Sequence, residues 1–230
     1  VHPGTLVDPE KYRAIVRLAV AHGFRLHTEC AGRGSIELAV STLGGPGVRE
    51  AIRDRRFVLE HVEFPTREQI AQCRALGLAP TTSTNFIWGK GAEVYTDRLG
   101  REYADRAIPL RDWLDAGVPI AQSTDWGPRE PLFTLWQSLA RRAGLTGRTI
   151  GPEQAISREE ALRIFTRNGA WALCMEDRLG SLVPGACADL VVLDGDPLTC
   201  ELDAIRDLRV QATLLDGWPV YCAPGWTPGL

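Results

Sequence analysis

The sequence predicts an α/β fold built on parallel strands, and three observations carry that prediction. Short strand-like runs alternate with stretches of helical periodicity from Pro9 to Ala172. Three polar residues directly follow such runs: His27 after 23–26, His61 after 57–60 and Asp125 after 119–124. Their separations, 34 and 64 residues, match one and two βαβ units of roughly 30 residues each. The triplet therefore comes from strands n, n+1 and n+3, with an intervening strand at Leu78 to Ser83. The ends of parallel strands are where sheets and barrels of this class display their chemistry.

Each element has a local reason. Asp8 followed by Pro9 makes an N-cap and N1 pair, and Tyr12, Ile15, Val16, Leu18 and Ala19 give the apolar face of a helix ending at His22-Gly23. A strand is predicted over Phe24 to Leu26, a helix over Ser35 to Thr42 that Gly44-Gly45-Pro46 halts, and a strand over Phe57 to Leu59. Thr66 with Gln69 forms a capping box for a helix through Ala75, and Gly77 stops it. The strand Leu78 to Ser83 leads into a polar and aromatic loop, Asn85 to Arg101. A helix over Ile108 to Ala116 follows, then a strand over Val118 to Ala121, the turn Ser123-Thr124-Asp125-Trp126 and a helix over Pro131 to Arg142. Ser157 with Glu160 caps one more helix, carrying Ala161, Leu162, Ile164 and Phe165. After Ala172 the period turns from helical to extended. Leu182-Val183, the turn Pro184-Gly185, Asp189 to Leu193, Gln211 to Leu215, the hairpin signal Asp216-Gly217 and Pro219 to Tyr221 predict a small antiparallel sheet.

Global properties exclude several classes. A chain of 230 residues can bury a large core and predicts one domain, or one with an appendage. Its 44% apolar and 24% charged residues are those of a soluble globular protein. A net charge of −3 with no basic stripe argues against nucleic acid as a partner. No apolar run approaches the roughly 18 residues of a membrane span, so no membrane partner is expected. The six cysteines are scattered without a CxxC pair, which fits a reducing, cytoplasmic location better than a disulfide framework. The chain opens with Val1 and its only methionine is Met175, so it reads as a piece or processed form of a longer product.

Two imidazoles and a carboxylate converging on one sheet end are natural ligands for zinc or another borderline divalent ion. On this reading His27, His61 and Asp125 hold the metal, whereas a histidine standing alone at a strand end would serve as a polar cap. Glu63, Asn85, Trp88, Trp126 and Arg129 are candidates to line the pocket of a small-molecule substrate. Packing under the long loop is the competing account of the aromatic residues. Cys30, beside an apolar strand, reads as a small buried filler.

The tail adds a resemblance. Gly180 to Asp194 (GSLVPGACADLVVLD), then Asp196-Pro197, Val210 and Thr213 to Tyr221, resemble the closing signature of the metal-dependent amidohydrolase superfamily. Leu59-Glu60-His61-Val62 and Ser123-Thr124-Asp125-Trp126, with the helix Glu159 to Ala172, resemble its amidohydrolase family 3 branch, which includes the YtcJ-like proteins. The resemblance runs from Val1 to Tyr221. It implies the C-terminal half of a (β/α)8 TIM barrel, strands five to eight, over 1–175. The C-terminal strands of a small β-sandwich would then follow over 176–230.

The resemblance also implies roles. The histidines ending strands five and six bind one or two divalent ions in such enzymes, which corresponds to His27 and His61. The aspartate ending strand eight binds or abuts the metal and shuttles the proton, which corresponds to Asp125. Relatives further carry a His-x-His pair on strand one, and this chain has none. An N-terminal half supplied elsewhere, or a homo-oligomer, is the partner this implies, with the isolated piece inactive. Close relatives typically read His-Ala-x-Gly-Asp at the first histidine, where this chain reads His27-Thr28-Glu29-Cys30-Ala31-Gly32-Arg33-Gly34. The implied activity is hydrolysis of non-peptide or cyclic amide carbon–nitrogen bonds by a metal-activated water. A non-catalytic remnant, or a carbon–oxygen hydrolase or hydratase on the same scaffold, are the alternatives.

Overall fold

Asp8 caps the first helix through its carboxylate, which accepts the backbone N–H groups of Glu10 and Lys11 at 3.0 and 3.1 Å. This computed structural model describes residues 7–227. The capped helix is α1 (Pro9–Ala21), and β1 (His27–Cys30), α2 (Arg33–Leu43), α3 (Arg49–Ile52) and β2 (Val58–His61) follow. Next come α4 (Arg67–Leu76) and β3 (Ala79–Thr82). Both halves of the Thr66 and Gln69 capping box form, and Gly77 closes α4 at φ 64°.

The stretch expected to be a loop after β3 is helical instead. It comprises α5 (Asn85–Lys90), a π-helix (Gly91–Thr96), α6 (Asp97–Leu99) and α7 (Arg101–Asp105). The π turn from Gly91 to Thr96 breaks the i to i−4 hydrogen-bond repeat between α5 and α6. After α8 (Leu110–Asp115) and β4 (Ala121–Gln122) come α9 (Pro131–Ala140), α10 (Arg158–Phe165) and α11 (Arg167–Ala172). The tail is β5 (Leu190–Leu193), β6 (Val210–Leu215) and β7 (Trp218–Cys222), an antiparallel sheet in the order β5-β6-β7. Asp216 and Gly217 form its hairpin turn with φ 50° and 81°. Leu182 and Val183 stay outside this sheet, 81% and 58% exposed.

The four strands β1-β2-β3-β4 pair in sequence order, all parallel. One face packs on helices: Thr28 meets the Tyr12 hydroxyl of α1 at 3.1 Å, and Cys30 and Leu59 join the main core with Ile36, Val40, Ile70 and Cys73. Each such aliphatic side chain contributes about 1.5–3 kcal/mol by leaving water. On the opposite face Val58, Ala79 and Ala121 meet Trp171 and Ala172 of α11. Pleat alternation and the register His27↔Val58, Glu29↔Glu60 put His27, Glu29 and Glu60 on that second face as well.

α10 begins at a capping box in which Glu160 accepts the Ser157 N–H at 2.8 Å, and Arg111 holds the same carboxylate through two bonds of 2.7 and 2.9 Å. The Arg111 guanidinium keeps the Glu160 carboxyl below the usual carboxylate range. A lowered folded-state value stabilises the fold above the unfolded carboxylate pKa of about 4.3, and the contribution is lost as pH falls through the folded value. Urea midpoints of the wild type and Glu160→Gln should therefore differ at pH 7 and converge in strong acid. A difference that persists undiminished there would refute the linkage.

Candidate active site

Three side chains at the C-terminal end of β3 organise the site. Thr82 Oγ1 donates to the His61 carbonyl at 2.6 Å, and Ser83 Oγ donates to the Thr124 carbonyl at 3.1 Å. Asn85 Nδ2 donates to the carbonyls of Thr124 and Pro128 at 2.9 and 2.6 Å. The segments carrying His61 and Asp125 are thus fastened to one strand end. Thr81-Thr82-Ser83-Thr84, a run of four hydroxyl side chains closing a strand, was the sequence signal for this role.

His61 and Asp125 are what this clamp brings together. His61 Nδ1 lies 3.5 Å from Asp125 Oδ2, with side chains 23% and 39% exposed. His61, Val62 and Asp125 all adopt positive φ, 74°, 35° and 39°. For a β-branched residue such as Val62 this is a true outlier, and clustered strain of about 1–3 kcal/mol per residue is characteristic of functional sites. The left-handed turn at His61 breaks the pleat and re-aims a ring that alternation would have sent toward the helices. That ring stands 5.4 Å from Phe86.

The distance suits a metal ion better than a hydrogen bond. N–H···O bonds run about 2.7–3.2 Å, whereas two donors each about 2.1 Å from a tetrahedral ion sit about 3.4 Å apart. An imidazole nitrogen and a carboxylate oxygen are also the donors zinc-like ions take. Among the described residues no three His, Cys, Asp or Glu side chains converge to a complete set, so the pair fits as part of one.

The structure does not bring His27 to this pair. Apolar runs place a strand at Phe24 to Leu26 and His27 at its end, but β1 starts at His27 and Cys30 is the residue level with His61. Three residues of strand separate the two rungs, about 10 Å at roughly 3.3 Å each. Both His27 ring nitrogens are occupied as well. Nδ1 is 3.0 Å from Glu60 Oε1, and Nε2 is 3.3 Å from Arg25, which also donates to the Ala172 carbonyl at 2.6 Å and to Cys174 Sγ at 3.1 Å. His27 belongs to the end of the sheet that α11 covers.

The expected pocket residues divide. Glu63 is buried, accepts the Tyr95 hydroxyl and lies 3.6 Å from Lys90 Nζ. Burial, with the Glu63 carboxylate beside it, raises the Tyr95 hydroxyl far above its usual range, so it remains a donor. Lys90 Nζ sits 3.8 Å over the Phe86 ring. Trp126 stacks on Phe86 at 6.4 Å and 15° and keeps 53% of its surface exposed beside Asp125. Asn85 is fully buried as a clamp of the Asp125 turn. Trp88 packs edge-on against Phe133 and Trp136 at 5.2 and 5.7 Å, as the packing reading expects. Arg129 is exposed, four residues beyond Asp125. Phe86, Lys90 and Tyr95 were not expected at the site, because they fell in the presumed loop.

Gly89 makes the Trp126 stack possible: a Cβ there would lie 1.8 Å from Cζ3 of the indole. Gly89→Ala should displace Trp126, alter the near-ultraviolet circular dichroism and cost about 1–3 kcal/mol. The same change should be nearly neutral beside Trp126→Ala. An equal cost in both backgrounds would sink the steric account.

A sheet of four parallel strands with a histidine and an aspartate fastened at its C-terminal ends is an α/β frame that displays polar side chains where such sheets carry their chemistry. The chain belongs to the amidohydrolase family, whose model matches residues 3–221. It is 30% identical over 201 residues to an N-substituted formamide deformylase of Arthrobacter pascens, covering 81% of this chain and 37% of that protein. It is 22% identical to the putative amidohydrolase YtcJ of Bacillus subtilis, over 93% of this chain and 40% of that protein. A metal-dependent hydrolase of Pyrococcus furiosus superposes with a TM-score of 0.70 at 23% identity, over 85% of this chain and 39% of the other. The chain thus spans less than half the length of these relatives.

Proposed function

We propose that this chain supplies the C-terminal half of a (β/α)8 barrel, with residues 176–230 as strands of an appended β-sandwich, in a metal-dependent hydrolase of carbon–nitrogen bonds in non-peptide amides. The observation that carries the reading is the His61 and Asp125 pair, 3.5 Å apart on left-handed backbone at the end of β2 and beyond the end of β4. His61 and Asp125 would hold a divalent ion, zinc or a similar metal, with further ligands from the rest of the site. Such an ion, when bound, polarises an amide carbonyl and acidifies water.

The chain's own residues supply the remainder. Asp125 Oδ takes a proton from the attacking water and returns it to the leaving nitrogen, which departs as a neutral amine. Phe86 and the exposed face of Trp126 give an apolar wall against which the substrate lies. Glu63, held by Tyr95 and Lys90, fixes the loop that follows His61. A small amide is the partner this site fits. The six cysteines are all free, in keeping with the reducing compartment proposed for it. Among the described residues no helix is long and apolar enough to cross a membrane.

The test follows amine release from a panel of N-substituted amides by the protein that carries this chain. Dialysis against a chelator should abolish release and a divalent ion should restore it, while His61→Ala should lower bound metal tenfold or more. Full activity after complete metal removal would overturn the proposal.

A further inference from the structure

We infer that Thr82 is a positioning residue for the divalent-ion site: its hydroxyl holds His61 in the left-handed turn that aims the imidazole at Asp125. The inference rests on the metal-dependent reading above and adds the means by which one ligand is set. The first support is the place where strand pairing gives way to a side chain. The pairing of β2 with β3 runs through Val58↔Ala79 and Leu59↔Pro80, and proline brings no N–H to a ladder. Two residues on, the His61 carbonyl is held by Thr82 Oγ1, which donates to it at 2.6 Å. Thr82 is 1% exposed, which keeps water from competing for this donor.

The second support is conformational. His61 and Val62 sit at φ 74° and 35°, a region that residues with a Cβ rarely occupy and that persists where surrounding contacts impose it. Released from Thr82, His61 would relax toward extended backbone, and pleat alternation would swing its ring from Asp125 to the helix face. The third support is that Thr82 serves both members of the pair. Its own carbonyl accepts the Ser123 N–H at 2.8 Å and the Ser123 hydroxyl at 3.1 Å, two residues before Asp125. One residue therefore sets the 3.5 Å separation of His61 Nδ1 and Asp125 Oδ2 from both sides. Threonine suits the task, because its β-branch restricts χ1 and keeps the hydroxyl on the carbonyl at little cost in entropy.

The test uses the protein that carries this chain and measures Zn2+ affinity by chelator competition, then kcat and KM on its best amide. Thr82→Val keeps the shape and removes the donor. It should weaken Zn2+ by about 10–100-fold, the usual effect of losing a contact that orients a ligand, and lower kcat while KM stays in place. Thr82→Ser keeps the hydroxyl and should recover most of both losses. Cys73→Ala, which opens the main core, should lower the urea midpoint and leave Zn2+ affinity unchanged. If the valine variant does not fold, Thr82→Ala reads the same loss without setting a methyl against the carbonyl. Wild-type affinity and kcat in a folded Thr82→Val or Thr82→Ala would assign Thr82 to the fold alone and overturn the inference. Equal losses in Thr82→Ser and Thr82→Val, or failure of both hydroxyl-free variants to fold, would do the same, and in each case the metal-dependent reading would stand. Absence of Zn2+ binding in the wild type and all variants would overturn that reading itself, and the inference with it.

Discussion

Arg141→Met should destabilise the chain by about 3–5 kcal/mol, the range seen when one partner of a buried charged group is removed. Arg141 is fully buried at the end of α9, on left-handed backbone at φ 48°. Its guanidinium donates to the carbonyls of Ala107, Ile108 and Ile150 at 2.7, 3.0 and 2.8 Å. Burial pulls the group down to about 10, which leaves it charged at neutral pH. Methionine fills similar volume but orphans three carbonyls, each costing about 1–3 kcal/mol. Lysine, with one ammonium in place of a planar fork, should recover part of the loss. The urea midpoint reads the effect, and a cost below about 1 kcal/mol for Met would show that the three bonds are replaceable. The clamp also reaches the site, because the Ile108 N–H donates to the Glu63 carbonyl at 2.7 Å, two residues beyond His61.

The parts of this fold written in local chemistry were legible. Thr66 with Gln69 and Ser157 with Glu160 announce their helices because a capping box is complete within four residues. Asp216-Gly217 announces its hairpin for the same reason. β1 was misplaced because its second face is polar: His27 and Glu29 look away from the core, so an apolar run marks the approach to the strand instead of the strand. That single shift put His27 at the strand end, among the expected ligands. The π turn hid the helices after β3, and with them Lys90 and Tyr95. Spacing singles out His61 and Asp125 as strand-end residues, whereas their left-handed backbone and the Thr82, Ser83 and Asn85 clamp depend on contacts between strands that no local pattern encodes.

Asp125→Asn in the protein that carries this chain should lower turnover by roughly 10²- to 10⁴-fold, the usual contribution of a general acid–base group. The substitution is chosen to spare everything else. Asparagine tolerates positive φ nearly as well as aspartate, so the 39° turn at this position survives. The bonds that fasten the turn go to the carbonyls of Thr124 and Pro128, which the change leaves in place. A neutral amide oxygen still faces His61, so bound metal should fall far less than with His61→Ala. What is lost is the basic oxygen that takes a proton from water and hands it to the leaving nitrogen. Rate and metal content therefore separate: Asp125→Asn loses turnover with most metal retained, and His61→Ala loses both. Near wild-type turnover in Asp125→Asn with metal intact would reduce Asp125 to a turn residue and remove the base from the mechanism.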